Sequence, residues 1–249
     1  MEKDTKFLIN TIKEAAKLIT DDFSVKAKDE KGDLVTNFDF EIEKFIIDRI
    51  KQSYEDFDIV SEETNAKKEV TKNCFVIDPI DGTVNFAHGI PLWGIQVAMV
   101  KDGKVCASCI YLPKLDECYY ADKTGAYKNG ERISVKKENF KTQIYIVDGG
   151  YRMPTLVRVG NIIRNYRNFG AACISYSFVA SGRVAGVIYK WEKCWDYLPG
   201  EYLVKQAGGV VDSKFMAHVA ACSEEEAKFL SENGKYYDDD MAYTNHDEK

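Results

Sequence analysis

Two carboxylates, Asp78 and Asp81, stand three residues apart directly after the apolar run 74–77. The run predicts a short buried strand, and a turn at Pro79 would bring the two carboxylates to one point. Carboxylate oxygens are the ligands that hard cations such as Mg²⁺ prefer, and the backbone carbonyl of Ile80 would add another oxygen. The segment therefore predicts a metal site at the end of a strand.

Two small residues, Gly82 and Thr83, follow the second aspartate at a point where a helix could begin. The free N–H groups and the dipole of a helix N-terminus would face the same point and hold an anion such as phosphate. The alternative is a tight turn with two solvated aspartates, because Asp, Pro and Gly are the usual turn formers. Features elsewhere in the chain have to decide between these two interpretations.

The segment from Asp78 to Phe86 has the sequence DPIDGTVNF. It resembles the first signature of the inositol monophosphatase family, a group of magnesium-dependent phosphomonoesterases of the lithium-sensitive type. DLVTNFD at 33–39 and WD at 195–196, which is followed by AGGVV at 207–211, match the family in the same order. Ordered matches are a more specific signal than any single motif. The resemblance covers roughly residues 4 to 233.

The resemblance implies a complete set of metal ligands. Glu62, the first of two adjacent glutamates after a predicted strand at 57–60, matches a ligand of the family, whereas Glu-Glu alone would be a solvated turn. Asp196 matches the aspartate that completes the site, whereas alone it would be a helix N-cap. Carboxylates this close would be protonated without cations. The implied site holds two or three Mg²⁺ ions on Glu62, Asp78, Ile80, Asp81 and Asp196.

The resemblance also implies roles in catalysis. Asp39 matches an aspartate that orients a catalytic threonine and a water, although the helix dipole alone would favour an acid in this first helical turn. Thr83 would position a metal-activated water, Glu62 would take part in catalysis, and the amides of Gly82 and Thr83 would hold the phosphate. Lys28 matches a lysine that approaches the metals. The implied reaction is phosphomonoester hydrolysis without a covalent intermediate.

Substrate recognition is where the chain departs from the family's inositol enzymes. They carry a glutamate seven residues before the aspartate of the WD motif, and here that position is Tyr189, with Glu192 as a nearby substitute. A carboxylate accepts hydrogen bonds from two vicinal hydroxyls, whereas a tyrosine offers one oxygen and a flat ring. We expect a small phosphorylated polyol as substrate; the alternative is a nucleotide phosphate of the NADP or 3′-phosphoadenosine type, or a sugar bisphosphate. The expected substrate contacts are Asp81, Gly82, Thr83, Gly170, Ala171, Ala172, Tyr189 and Asp196.

Helices and strands must position these residues. Helical spacing of apolar residues predicts a helix over 4–23, with Asp4 or Thr5 as its cap, and a second helix from about Asp39. Further strands are predicted at 93–100, 104–112, 117–121, 144–147 and 183–191, with hairpins at Asp102-Gly103 and Asn129-Gly130. Further helices are predicted at 156–166, at 170–181 and from Trp195 to Gly208. Pro199 would lie in the first turn of the last of these helices.

The resemblance implies an α/β (α+β) layered sandwich of alternating helix and sheet layers. Its N-terminal sheet would be mostly antiparallel, and a second sheet would be built from residues after about 144. We expect an N-terminal half at 1–143 that carries most metal ligands, a C-terminal half at 144–234 that completes the site, and an acidic tail at 235–249.

Composition narrows the classes of protein. The net charge is −6, and much of it lies in the C-terminal tail. Nothing in this charge distribution indicates a basic surface that would bind nucleic acid. No apolar run approaches the roughly 18 residues of a membrane span, and the N-terminus lacks the layout of a signal peptide. We therefore expect a cytoplasmic protein without a membrane partner. A homodimer is expected from the resemblance alone.

Two alternatives come from other classes of protein. The seven cysteines include the CxxC pair Cys106 and Cys109, but an odd count among apolar neighbours favours buried reduced thiols over a disulfide framework or a zinc site. The other alternative is a non-catalytic member of the family that binds a partner. That alternative predicts broken ligand positions, and here the ligand positions are intact.

Overall fold

The computed structural model describes residues 1–28, 33–136, 143–149, 165–190, 193–212 and 217–233. Six α-helices lie within these ranges: α1 Lys3–Ala16, α2 Asn37–Ser53, α3 Thr83–Ala87, α4 Ala172–Ala180, α5 Cys194–Gln206 and α6 Glu224–Asn233. None of these described helices combines the length and the apolar character needed to cross a membrane. The helix predicted over 156–166, the segment with Glu192 and the acidic tail fall almost entirely outside the described residues.

A seven-stranded sheet occupies the N-terminal part of the chain, and its strands are neighbours in chain order. They are β3 Asp58–Ser61, β4 Cys74–Asp81, β5 Gly94–Lys101, β6 Lys104–Leu112, β7 Glu117–Asp122, β8 Gly125–Lys128 and β9 Glu131–Ile133. The β3–β4 pair is parallel and the other pairs are antiparallel. Positive φ angles at Asp102 and Asn129, each followed by a glycine, form the two predicted hairpins. A short antiparallel pair, β1 Val25–Ala27 and β2 Leu34–Thr36, precedes α2.

A second, five-stranded sheet is built from the C-terminal part and has the order β11-β10-β12-β14-β13. Its strands are β10 Tyr145–Gly149, β11 Tyr166–Arg167, β12 Gly186–Lys190, β13 Val210–Asp212 and β14 Ala217–Ala221. Strand β10 pairs in parallel with β11 and β12, whereas β14 runs antiparallel to β12 and β13. The carboxyl ends of β10 and β12 therefore lie at the same edge of this sheet.

Alternate residues of the strands face different helix layers. Phe75 and Ile77 of β4 pack against α1 and α2, whereas Val76 faces Trp195 of α5. Helices α4 and α5 lie between the two sheets, and α6 covers the outer face of the second sheet. The layers thus run helix, sheet, helix, sheet, helix. This arrangement confirms the predicted layered sandwich with a mostly antiparallel N-terminal sheet.

Two local predictions about helix ends are wrong. Helix α1 begins at Lys3 with Glu2 as its N-cap, and the hydroxyl of Thr5 donates to Asp122 Oδ2 (2.9 Å) and is therefore not available as a cap. Pro199 lies inside α5 rather than in its first turn, because the helix already begins at Cys194.

All seven cysteines are free thiols, and five of them are buried. Cys109 and Cys118 face each other across β6 and β7, with 3.8 Å between their sulfur atoms. Cys106, the other member of the CxxC pair, donates instead to the carbonyl of Met99. Cys106, Cys109 and Cys118 therefore lie within the packed seven-stranded sheet.

Candidate active site

Strand β4 carries Asp78 and Asp81 into the interior. The strand continues through Asp81, four residues beyond the predicted end, and its pairing with β5 is irregular between the two aspartates. In a regular strand, residues three apart point to opposite faces, so this irregularity is what lets both carboxylates turn towards one region. The predicted turn at Pro79 is thus replaced by a bulge within the strand.

Gly82 links β4 to α3 with φ of 88°, in the left-handed region. A Cβ atom there would lie 2.9 Å from the Cβ of Ala171, so both the backbone and the available space favour glycine. Helix α3 then begins at Thr83. The hydroxyl of Thr83 lies 2.8 Å from the carbonyl oxygen of Ile80, to which it donates, and 3.2 Å from Asp39 Oδ1.

Asp39 lies in the first turn of α2 and contacts two elements. Its Oδ2 accepts hydrogen bonds from the amide (2.7 Å) and the hydroxyl (2.5 Å) of Thr36, the N-cap residue, while Oδ1 faces Thr83. Burial raises the pKa of this carboxyl, although the bonds from Thr36 oppose the shift. Both interpretations of Asp39, as a helix-capping acid and as a partner of the threonine, therefore describe the same side chain.

Glu62 follows β3, and its side chain is paired with a lysine. Lys28 Nζ lies 2.8 Å from Glu62 Oε1 and 2.7 Å from Glu63 Oε1. Burial alone would lower the pKa of Lys28, but the charges and hydrogen bonds of Glu62 and Glu63 together outweigh it and raise the pKa. The pair is thus only partly buried and strongly charged, unlike the solvated turn expected of Glu-Glu alone.

Glu43 of α2 supports the turn that carries Glu62 through hydrogen bonds. The fully buried carboxylate of Glu43 accepts the amides of Glu63 (2.8 Å) and Thr64 (2.9 Å) and the hydroxyl of Thr64. Sequence reasoning missed this residue. Its spacing could have revealed it: Glu43 stands three residues before Ile46, which puts this glutamate on the apolar, buried face of α2.

Asp81 joins the end of β4 to the start of α4. Its carboxylate accepts the amides of Ala172 (3.2 Å) and Cys173, and Gln96 Nε2 lies 3.3 Å from Oδ2. Asp196 occupies the first turn of α5, where its Oδ2 accepts the amide of Lys193 (2.8 Å). The N-cap residue is Lys193, so the alternative of Asp196 as the N-cap is wrong.

The four acids affect one another electrostatically. Burial, and next the charges of Glu62, Asp81 and Asp196, raise the pKa of Asp78 well above its usual range. Burial also raises the pKa of Asp81 to about 6, against the opposing amides of Cys173 and Ala172. Burial raises the pKa of Asp196, with a smaller contribution from the charge of Asp81. Burial also raises the pKa of Glu62, although the charge and the hydrogen bond of Lys28 oppose the shift. Negative charge is therefore concentrated where a cation would relieve it.

The C-terminal side of the site is formed by residues 169–173. The predicted positions Gly170, Ala171 and Ala172 lie here, between Asp81 on one side and Asp148 of β10 on the other. Tyr189 of β12 is buried at 5% exposure, its ring stacks on Tyr176 with 5.8 Å between ring centroids, and its hydroxyl donates to Asp148 Oδ2 (2.9 Å).

Comparisons with known proteins agree with this arrangement. The model of the inositol monophosphatase family matches residues 1–219. The chain belongs to the inositol monophosphatase family. A Thermotoga maritima relative named fructose-1,6-bisphosphatase/inositol-1-monophosphatase is 32% identical over 226 residues, which are 89% of this chain and 86% of that protein.

Solved structures of the inositol monophosphatase family share the fold. The extragenic suppressor protein suhB of Bartonella henselae superposes with a TM-score of 0.84 at 25% identity, covering 94% of this chain and 99% of that one. The Thermotoga maritima IMPase TM1415 gives 0.80 at 28% identity, with 93% and 96% covered. Family members are phosphomonoesterases that use divalent metal ions, so this protein is a phosphoric monoester hydrolase.

The donor set fits the divalent ion that the inositol monophosphatase family uses. Asp78 Oδ1 is buried and has no hydrogen-bond partner among the residues that the structure describes, although buried carboxylate oxygens are normally paired. All the expected ligands offer oxygen, which suits a hard cation. Within the described ranges, no group of three or more acidic, histidine or cysteine side chains is arranged so that it could hold a metal ion. Glu62 is paired with Lys28 and would exchange this partner for a cation.

Proposed function

We propose that the protein hydrolyses the phosphomonoester of a small phosphorylated polyol, in the manner of inositol monophosphatase, and that it depends on Mg²⁺. The observation that carries the proposal is the buried acidic cluster at the end of β4, whose carboxyl pKa values are raised. The pair formed by Thr83 and Asp39 lies beside it. Family membership supports the reaction class.

The proposed ligands of two or three Mg²⁺ ions are Glu62, Asp78, Asp81, Asp196 and the carbonyl of Ile80. Bound there, the ions would neutralise phosphate charge and lower the pKa of a water molecule. Asp78 is the proposed central ligand, because no residue in the described part of the chain donates to one of its buried oxygens. Glu62 has a second proposed role in catalysis, which the family resemblance implies, and Glu43 accepts the amide of Glu63 in the turn that carries it.

Thr83 is proposed to orient the attacking water. Its hydroxyl has one proton and two lone pairs, and it can donate either to the carbonyl of Ile80 or to Asp39. Donation to Asp39 would free the Ile80 carbonyl for a cation and would direct a lone pair of Thr83 towards a water proton. Asp39 would therefore be a positioning residue with respect to the reacting water.

The substrate is proposed to lie between α3 and the 169–173 segment. The amides of Gly82 and Thr83 would hold the phosphate. The proposed contacts of the polyol part are Asp81, Asp196, Gly170, Ala171, Ala172 and Tyr189. The Tyr189 hydroxyl already donates to Asp148, and the residue is buried. Tyr189 therefore has only a small exposed surface with which to contact a substrate.

The alternative is a phosphatase for a sugar bisphosphate or a nucleotide phosphate. Tyr189 favours it, because the carboxylate of the family's inositol enzymes is absent at this position. The Thermotoga relative is named for both fructose-1,6-bisphosphatase and inositol-1-monophosphatase activity, which favours the sugar bisphosphate among the alternatives.

Phosphate release from a substrate panel tests the proposal. The panel contains inositol 1-phosphate, fructose 1,6-bisphosphate, 3′-phosphoadenosine 5′-phosphate and NADP, each with Mg²⁺ and with EDTA. We expect hydrolysis that requires Mg²⁺ and favours a polyol or sugar ester. Highest kcat/KM for a nucleotide would move the assignment to the alternative, and hydrolysis that persists in EDTA would contradict the proposed metal chemistry.

Two further proposals concern the whole molecule and rest on family likeness. We propose a homodimer, which sedimentation at micromolar concentration tests; a monomer would contradict it. We also propose a cytoplasmic location, with no nucleic-acid polymer or membrane as partner. Fractionation that recovers the protein with membranes would contradict the location.

A further inference from the structure

The carboxylate of Asp148 holds one end of the 169–173 segment. Asp148 lies near the end of β10 and is 2% exposed. Its Oδ2 accepts the amides of Phe169 (3.1 Å) and Gly170 (3.0 Å). Gly170 has φ of 66°, so the chain turns sharply at the point where Asp148 holds it.

The other end of the segment is held by Asp81, which accepts the amides of Ala172 and Cys173. Asp81 comes from the seven-stranded sheet and Asp148 from the five-stranded sheet. Two carboxylates from different sheets therefore fix four of the five amides of the segment, and Ala171 lies between the two anchors. We call this arrangement the two-carboxylate clamp.

Asp148 is itself oriented by hydroxyl groups. It pairs in register with Tyr189 on the neighbouring strand, so both side chains lie on the same face of the sheet. The Tyr189 hydroxyl donates to Asp148 (2.9 Å), and Ser175 Oγ of α4 lies 3.5 Å from the carboxylate and 3.2 Å from the tyrosine oxygen. Charge-assisted hydrogen bonds of this kind are short and directional.

We propose that Asp148 is a positioning residue that sets substrate selectivity through the clamp, and that Tyr189 acts mainly by orienting Asp148. The inference rests on the proposed function, since it assigns the 169–173 segment to the polyol part of the substrate. Asp81 alone would fix only the helix end of that segment. Asp148 fixes the end that precedes Ala171, and it does so without a position in the metal cluster.

Loss of Asp148 should therefore impair recognition of the leaving group more than it impairs the hydrolytic step. An asparagine at this position keeps the size and one acceptor oxygen for the two amides, which share Oδ2, but it loses the negative charge that strengthens both hydrogen bonds. Supporting residues of this kind are worth about tenfold to a hundredfold in function when removed. The effect should appear mainly in KM for a polyol phosphate.

The experiment compares Asp148→Asn, Tyr189→Phe and Asp122→Asn with the wild type on two esters with Mg²⁺: inositol 1-phosphate and p-nitrophenyl phosphate, whose aryl group has no hydroxyls to recognise. Asp122 is a matched control, because it is similarly buried and accepts the amides of Glu2 and Thr124 and the hydroxyl of Thr5, but it lies at the end of β7 and is not part of the acidic cluster or of the clamp.

For Asp148→Asn, we expect kcat/KM on the inositol ester to fall at least about tenfold through KM, while the aryl ester changes less than about threefold. Tyr189→Phe should shift the ratio in the same direction by a smaller factor, and Asp122→Asn should leave the ratio unchanged. If Asp148→Asn does not fold, Tyr189→Phe and Ser175→Ala carry the same comparison.

An equal fall on both esters would overturn the role of Asp148 in selectivity and leave a purely structural role. A shift of the ratio by Asp122→Asn as large as that by Asp148→Asn would overturn it as well. A wild type that hydrolyses neither ester nor the rest of the panel would instead overturn the proposed function, and this inference with it. The two failures are thus distinguishable.

Discussion

The carboxylates at the end of β4 and the carboxylate at the end of β10 are both buried, but their surroundings differ. Asp78 has a buried oxygen to which no described residue donates a hydrogen bond, and burial together with the neighbouring carboxylates raises its pKa. Asp148 accepts two backbone amides and is contacted by two hydroxyls. A carboxylate with a buried oxygen that no donor satisfies is suited to a cation, whereas one surrounded by donors is suited to holding the backbone.

This difference indicates a division of labour within one site. At the end of β4, carboxylates repel one another, and a divalent ion would relieve this repulsion. At the end of β10, hydrogen bonds to Asp148 fix the position of the 169–173 segment. Asp81 belongs to both, because it lies in the acidic cluster and also accepts the amides of Ala172 and Cys173. The predictions below test how far the two regions are separable.

The largest effect is expected from Asp78→Asn and Asp81→Asn. Each substitution removes a ligand charge from the metal cluster, so kcat should fall by about a thousandfold or more. Steady-state phosphate release with saturating Mg²⁺ measures it. Asp58→Asn, at an exposed position of the edge strand β3 in the same sheet, is the control and should leave kcat unchanged. Near-normal turnover by either active-site variant would reject these residues as ligands.

Asp39→Asn should lower kcat by about a hundredfold, because Thr83 would lose the partner that orients it. The matched variant is Thr36→Ala, which removes a helix cap worth about 1 kcal/mol but leaves the contact between Asp39 and Thr83. We expect Thr36→Ala to lose stability and to keep most of its kcat. Equal losses of kcat in both variants would show that Asp39 acts only through the helix.

Glu43→Gln should weaken the apparent affinity for Mg²⁺ by about tenfold, because the turn that carries Glu62 would lose a charged acceptor. Activity as a function of Mg²⁺ concentration measures the change. Glu41→Gln, an exposed position on the same helix, should have no effect. An unchanged Mg²⁺ dependence in Glu43→Gln would show that Glu43 does not support the metal site.

The smallest effect concerns stability at Asp122, a third buried carboxylate that resembles Asp148 in its donors. Burial opposes ionisation here, but hydrogen bonds led by Thr124 outweigh it and lower the pKa to about 2. A lowered pKa stabilises the fold above the usual pKa of about 4 and loses that contribution as the pH falls towards 2. Asp122→Asn should therefore cost roughly 2 kcal/mol at pH 7 and clearly less at pH 3 in urea unfolding. A cost independent of pH would contradict the assigned pKa.

Much of the fold could be predicted because local patterns decided it. Alternating apolar residues, the glycine hairpins at 102–103 and 129–130 and the helical spacing in α1 and α2 all indicate elements that the structure contains. Helix ends were less predictable, since Thr5 satisfies a distant carboxylate instead of capping its own helix.

The site was predictable where motifs marked it and not where long-range contacts made it. The DPIDGT motif pointed to the residues at the end of β4. Asp148 and Glu43 lie in no motif, and their partners are 20 to 41 residues away in the chain. Likewise, the sequence indicated Tyr189 as a departure from the family's inositol enzymes, but it could not show that the Tyr189 hydroxyl donates a hydrogen bond to Asp148.

The central claim is that Asp78 is destabilised by neighbouring carboxylates until a cation binds, whereas Asp148 stabilises the backbone. Thermal unfolding of three proteins tests this claim most directly. Wild type, Asp78→Asn and Asp148→Asn are compared in EDTA and in Mg²⁺. In EDTA, we expect a Tm above wild type for Asp78→Asn and below it for Asp148→Asn; Mg²⁺ should then raise the Tm of wild type and Asp148→Asn but not of Asp78→Asn. An Asp78→Asn protein that is less stable than wild type in EDTA, and is still stabilised by Mg²⁺, would contradict the claim.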